Sequence, residues 1–380
     1  MKLKRTELTA LLVGIALATT VHAEITVGVS LSSTGPAASL GIPEKNTVAL
    51  LPTSIGGEKV KYIVLDDATD PTTAVKNARK FVSEDRVDLM IGSTSTPGSM
   101  AMTEVAAEGK TVLIALAPLP PMDAAKFAWV FQTPQNIGVM ATAIVDHMAA
   151  TGVKSMGFIG YADAYGEVWL KAMTAALEKK GIKMPAVERY QRTDTSVTGQ
   201  VLKLVSANPD AVLIAGSGTP AVLPQSTLLE RGYKGRIYQT HGIANNDFLR
   251  VGGKNVDGTI FPVGPMLVAE QLPASHPSRK PALDYIKAYE GAHGAGSRST
   301  FGAHAYDAFL LLQEAATQAL KKARPGTAEF RQALRDSLEA TRELPATHGV
   351  FSMSPTDHNG FDDRARVMVR IENGTWKLAQ

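Results

Sequence analysis

The sequence predicts two α/β lobes, each a parallel sheet covered by helices, with a cleft between them. Short β-branched, apolar runs recur along the chain with helical patterns between most of them, and this alternation calls for parallel strands joined by right-handed crossovers. The series occurs twice. A chain of 380 residues without a single cysteine must also find its stability in large apolar cores instead of cross-links, and one core rarely serves that length.

The elements follow in chain order. Met1 to Arg5 is basic, Leu8 to Ala18 is apolar, and Val21-His22-Ala23 ends in a small residue, so residues 1–23 form a cleavable secretory leader and Glu24 opens the mature chain. The leader's apolar run is too short to span a bilayer, which needs roughly 20 residues. Strands are expected at Ile25 to Leu31, Val60 to Leu65, Val87 to Ile91 and Thr111 to Ala115, with helices at Pro71 to Glu84 and Ser99 to Glu108. Asp70 is a good N-cap for the first of these helices, and Ala74, Val75, Ala78, Phe81 and Val82 share one stripe. The second series holds strands at Ser155 to Gly160, Ala211 to Ala215 and Arg236 to Thr240, and helices at Gly166 to Lys180, Val197 to Ala207 and Ala221 to Arg231.

Helices at Pro281 to Ala292, Thr300 to Lys322 and Thr327 to Leu338 come next, then a closing hairpin from Arg364 to Leu378 turning at Asn373-Gly374. Proline-marked passages at Thr133-Pro134, Phe261 to Pro265 and Pro345 to Val350 are the candidate crossings between lobes. The expected division is therefore residues 24–134 plus 265–347 for the first lobe and 135–264 plus 348–380 for the second.

Composition excludes several classes of function. Removing the leader's three Lys/Arg and one Glu from 39 and 36 leaves 36 basic against 35 acidic residues, so charge offers no reason to expect a nucleic-acid partner. The absence of cysteine rules out a thiolate metal site and a lipid anchor behind the leader. The mature protein is expected to be exported and to diffuse free of an anchor.

Motifs for chemistry are weak. Gly216-Ser217-Gly218-Thr219-Pro220-Ala221 fits a dinucleotide fingerprint, but the next strand ends at Gln239-Thr240-His241 with no acid for a ribose hydroxyl, so a strand-to-helix turn is expected there. Asp66, Asp67 and Asp70 lack the glycine of a calcium loop, and the mature histidines at 147, 241, 276, 293, 304, 348 and 358 form no zinc-ligand pair on a helix. No G-x-S-x-G occurs. Gly92-Ser93-Thr94-Ser95-Thr96-Pro97-Gly98 puts hydroxyls and amides at a helix N-terminus, which suits an anion. An exported hydrolase pairing one of these hydroxyls with His241 is the rival from another class.

Beyond these readings, the order of segments from Glu24 onward resembles the periplasmic leucine/isoleucine/valine-binding family, the soluble receptors of ABC importers. The resemblance is carried by Ile25-Thr26-Val27-Gly28-Val29 with Thr34-Gly35-Pro36, by Asp66-Asp67-Ala68-Thr69-Asp70-Pro71, and by Asp88-Leu89-Met90-Ile91-Gly92. It continues through Ile114-Ala115-Leu116-Ala117-Pro118 and Phe158 to Glu167. It implies the type I periplasmic-binding fold, two doubly wound Rossmann-like lobes joined by three crossovers, with no cofactor and no catalysis, and a monomer in the periplasm with an inner-membrane ABC permease as partner. It also implies that Ser95 and Thr96 hold a ligand carboxylate together with backbone at Ala117, that Leu40 stands where an aromatic residue is common, and that Tyr165 faces the ligand from the second lobe; Pro118 beside Ala117, and Thr219 and His241 on the second lobe, are expected to complete the cleft.

Two departures from the family pattern bear on the ligand. Amino-acid binders carry an acid for the ligand's ammonium after the strand equivalent to Arg236 to Gln239, where this chain has Thr240-His241-Gly242. Leu119-Pro120-Pro121 replaces a threonine near the carboxylate end. The expected ligand is a small organic acid with a hydrophobic or aromatic body and no ammonium, as in the aromatic-acid branch. The alternatives are a branched-chain amino acid or an amide, for transport or sensing.

Overall fold

The computed structural model describes residues 24–379, so the leader expected at residues 1–23 lies outside the described residues. Fifteen strands are assigned among them. These are β1 (Ile25–Leu31), β2 (Ser54–Ile55), β3 (Glu58–Asp66), β4 (Leu89–Gly92), β5 (Val112–Ala115), β6 (Val130–Gln132), β7 (Met156–Tyr161), β8 (Val187–Tyr190), β9 (Ala211–Ala215), β10 (Arg236–Gln239), β11 (Ile260–Val263), β12 (Leu344–Pro345), β13 (Val350–Phe351), β14 (Val367–Glu372) and β15 (Thr375–Leu378). They form one sheet in the order β2-β3-β1-β4-β5-β6, a second in the order β15-β14-β11-β10-β9-β7-β8, and the small pair β12-β13. The central pairings in both large sheets are parallel, and β14 and β15 add an antiparallel edge. This is the expected doubly wound fold in two lobes.

Burial explains the strand composition. Ile25, Val27, Val29, Leu31, Leu89, Ile91, Val112 and Ile114 lie in a core closed by Phe309, Leu312 and Leu334 from the C-terminal helices. The second sheet buries Phe158, Ile159, Val212, Leu213, Ile214 and Tyr238 against Ile144, Trp169 and Leu204. Strands covered on both faces read as continuous apolar runs, which is why they are short and β-branched. The helix at Pro71–Ser83 starts where expected, with Asp70 accepting from the Thr73 amide at 2.6 Å. No helix among the described residues is long and apolar enough to cross a membrane.

The crossings differ from expectation at one place. The chain leaves the first sheet after β6 and leaves the second after β11, at the two proline-marked passages. The third passage, expected at 345–350, is instead the β12-β13 ribbon, and Phe351, Met353, Phe361 and Ala365 all pack into the first lobe's core. Only Val367 onward joins the second sheet. The boundary drawn at 348 is corrected accordingly: proline at 345 marked a ribbon edge, and the apolar side chains beyond it had a nearer core to fill.

The three passages meet. Gln135 Nε2 donates to the Ala365 carbonyl at 3.0 Å, and Asn359 Nδ2 donates to the Pro134 carbonyl at 2.8 Å. A Cβ placed on Gly264 would lie 2.2 Å from His348 Cδ2 and 2.5 Å from Gln135 Nε2, so the second passage runs against the other two with no room for a side chain.

Candidate functional site

A narrow cleft lies between the lobes. Most of its wall comes from residues just past the carboxyl ends of parallel strands: Thr94 to Thr96 follow β4, Leu116 to Pro118 follow β5, Pro134 follows β6, Tyr165 follows β7, Arg192 follows β8, Ser217 follows β9, and His241 with Gly242 follows β10. Such crevices are where open α/β sheets bind ligands. Leu40, on the helix Ala38–Val48, and Phe301 with His304, one turn apart on the helix Thr300–Ala319, complete it.

Seven of the eight residues expected at the site line this cleft: Leu40, Ser95, Thr96, Ala117, Pro118, Tyr165 and His241. Thr219 does not. It opens a short 3₁₀ turn at Thr219–Ala221 and is partly exposed, because the turn places Ser217 in the cleft and carries the chain away at Gly218. Gly218 has φ +62°, and a Cβ there would lie 2.8 Å from Leu40 Cδ1, so the lobes touch at this turn with glycine as the spacer. The turn is the strand-to-helix connection expected in place of a dinucleotide loop.

On the first lobe, Ser95 caps the helix Thr96–Glu108, its Oγ accepting from the Gly98 amide at 3.3 Å. Thr96 Oγ1 donates to the Pro118 carbonyl at 2.9 Å, which ties the β4 and β5 loops together. Thr94 Oγ1 accepts from the Ser32 amide and donates to Glu44 Oε2. Glu44 is wholly buried, and burial pushes its carboxyl well above the usual range, with Thr94 opposing that shift and Asp67 adding to it. Asp67, for its part, accepts from Ser30, Ser32 and Ser93 hydroxyls at 3.2, 2.6 and 2.6 Å. Asp66 braces the Ser33-Thr34 turn and Asp70 caps a helix, so the three aspartates serve the loop's architecture.

On the second lobe the tyrosine hydroxyl is committed. Thr240 Oγ1 donates to the Gly216 carbonyl at 2.7 Å, so at 2.8 Å it accepts from Tyr165 Oη. The cleft therefore receives the ring of Tyr165. Beside it stands Arg192, which the sequence reading passed over. Its Nε donates to Asp163 Oδ2 at 2.7 Å and its Nη1 to Ser217 Oγ at 3.0 Å, while the guanidinium carbon lies 4.1 Å over the Tyr161 ring and 5.9 Å from that of Tyr165. Burial works against its charge, but Tyr161 and Asp163 outweigh burial and hold its pKa above the ordinary value. A half-buried cation thus faces the cleft. The signal that could have found it is position: it follows β8, a four-residue strand whose Glu188 and Arg189 hide its apolar character.

The remaining polar groups are histidines. Burial, aided by His348, pushes His241 down to about 4, and burial with His348 and His241 pushes His304 well below its ordinary value. His348 packs flat on His304, ring centroids 3.8 Å apart and planes 16° apart, and its Nδ1 lies 2.9 Å from Asp307 Oδ2. Ligating atoms of His304, Asp307 and His348 lie within 4.8 Å of one another. Two nearly parallel imidazoles cannot both point their nitrogen lone pairs at one ion, so this cluster is a stack with a carboxylate brace. Among the described residues, no aspartate or glutamate lines the cleft.

The family model for periplasmic binding protein matches residues 24–375. The chain belongs to that family. Solved extracellular ligand-binding receptors from Rhodopseudomonas palustris HaA2 are similar to it, one with TM-score 0.92 and 46% identity, covering 94% of this chain and all of that one. The Leu/Ile/Val-binding protein homolog 3 of Brucella melitensis is 27% identical over 296 residues, which span 76% of this chain and 78% of that protein. A leucine-binding protein from Thermotoga maritima shares the fold, with TM-score 0.80 at 18% identity and 94% of this chain covered. The two doubly wound lobes and the cleft between them are thus those of the periplasmic binding protein family.

Proposed function

We propose that this receptor captures a small organic acid with an apolar body and no ammonium group, an aromatic carboxylate foremost, and presents it to the permease of an ABC importer in the inner membrane. The observation that carries the proposal is the charge of the cleft: among the described residues Arg192, braced from behind by Asp163, lines it and no carboxylate does. An ammonium buried there without an acid would cost several kcal/mol. The acid has two donors to meet, the Arg192 guanidinium from one lobe and the Thr96 amide at the N-terminus of the helix Thr96–Glu108 from the other. Leu40, Leu116, Pro118, Pro134, Tyr165 and Phe301 supply the apolar wall.

Binding without turnover fits the same geometry. Ser95 and Thr96 spend their hydroxyls on a cap and on a carbonyl, and His241, with its pKa near 4, is a poor base at neutral pH. The protein works as a monomer in the periplasm after loss of residues 1–23.

The second reading is a branched-chain amino acid, favoured by the names of relatives such as the Brucella protein. Isothermal titration of ligand-stripped protein with leucine, benzoate, 3-phenylpropionate and 4-methylpentanoate separates the two. Binding of at least one acid with leucine silent is expected. Tight binding of leucine with the acids silent would overturn the proposal.

A further inference from the structure

The cleft contains more hydrogen-bonding capacity than a carboxylate uses. His304 is 1% exposed, lines the cleft, and has no hydrogen-bond partner among the described residues at either Nδ1 or Nε2. His241 is 3% exposed, lines the same cleft from the other lobe, and has none at Nδ1. Buried ring nitrogens are normally satisfied, so these orphans mark a place where something outside the protein belongs.

The surroundings say what it is. Burial keeps both rings uncharged, and a neutral imidazole offers one donor and one acceptor. A carboxylate brings only acceptors and an ammonium only donors; a hydroxyl brings both. The His304 ring is held for this purpose. His348 stacks on its face, and His348 is itself fixed by Asp307, whose carboxylate also accepts from the Thr347 and His348 amides at 2.8 and 3.2 Å. Positioning residues that fix the plane of a side chain raise the selectivity of the contact it makes.

We infer that His304 and His241 form a selectivity pole, one histidine from each lobe, that recognises a second, uncharged group on the acid, able both to donate and to accept, a hydroxyl above all. This rests on the acid reading of the cleft. A site built to pair with a hydroxyl rejects the analogue that lacks it, because the protein's own groups are then left buried and unpaired.

The test uses matched probes on the ligand-stripped mature protein: 3-phenylpropionate against 3-(4-hydroxyphenyl)propionate, and 4-methylpentanoate against 2-hydroxy-4-methylpentanoate, with leucine alongside. In at least one pair the hydroxylated acid should bind tenfold or more tightly. That ratio should collapse towards one in His304→Leu and return in part in His304→Gln, which keeps a donor and an acceptor. His241→Leu should reduce it independently, so the test survives if one variant folds poorly, as thermal unfolding will report. Equal affinity within both pairs, or a ratio unchanged in the folded variants, overturns the pole while leaving an acid-binding cleft. Leucine binding more tightly than every acid overturns the acid reading and the pole with it.

Discussion

His241 makes the protein's stability depend on pH in a way that can be calculated. Burial against Trp169 and Tyr165, whose ring centroids lie 5.7 and 6.4 Å away, lowers its pKa from 6.5 to about 4. Between those values the unfolded chain holds a proton that the folded chain does not. The stability due to the neutral ring is therefore intact above pH 6.5 and is lost as pH falls through 4. Some two and a half units at about 1.4 kcal/mol each come to roughly 3 kcal/mol, a large share of the ~5–15 kcal/mol that stabilises a typical protein.

The perturbation is His241→Gln, which keeps a polar side chain and removes the titration. Urea unfolding of ligand-free protein, followed by tryptophan fluorescence from pH 7.5 down to 4, gives stability curves for both proteins. His304 titrates with the same sign in both, and its shift owes most to burial and least to His241, so the difference curve reports chiefly His241. The wild type should lose roughly 3 kcal/mol more than the variant across that range. Parallel curves would refute the assignment of a buried, neutral imidazole to this position.

Three further outcomes are expected. Arg192→Gln removes a charge-assisted hydrogen bond, worth ~1.5–3 kcal/mol, and should weaken acid binding about 10- to 150-fold by titration calorimetry, with little change for an uncharged ligand. Glu44→Gln should abolish a loss of stability on raising pH: the folded chain keeps a proton that the unfolded chain releases above about 4.5, so wild type falls by up to ~1.4 kcal/mol per pH unit until the folded pKa is passed, and denaturation of the variant from pH 5 to 8 should lack that slope. Gly264→Ala forces a methyl into the junction of the crossings, 2.2 Å from His348 Cδ2, and should lower stability by ~1–3 kcal/mol in calorimetric unfolding.

How much of this was legible in the sequence depended on burial. β1, β9 and β15 run as expected to the residue, since two are covered on both faces and the third closes a hairpin at Asn373-Gly374. The helix Ala38–Val48 was missed because Pro43 sits inside it, and β6 and β8, three and four residues long, carry too little pattern to be seen. Missing β8 concealed Arg192. The residues after β4, β5, β7 and β10 were found because strand ends and family motifs coincide there, whereas Phe301 and His304 belong to a helix remote in sequence that only the returning chain brings to the cleft.

That return also determines when the site is complete. His304 belongs to the first lobe and shares its neighbourhood with His348, beside the knot formed by Gln135, Gly264 and Ala365. His241, Arg192 and Tyr165 belong to the second. A rotation of the lobes about the knot would leave the His304 stack in place and carry the other three away, so the cation, the aromatic wall and the second histidine reach a ligand only together. An acid that met Ser95 and Thr96 alone would gain nothing from the second lobe. Selection among acids and closure over them would then be a single step, since the buried groups that a wrong ligand leaves unpaired are the same groups that closure desolvates.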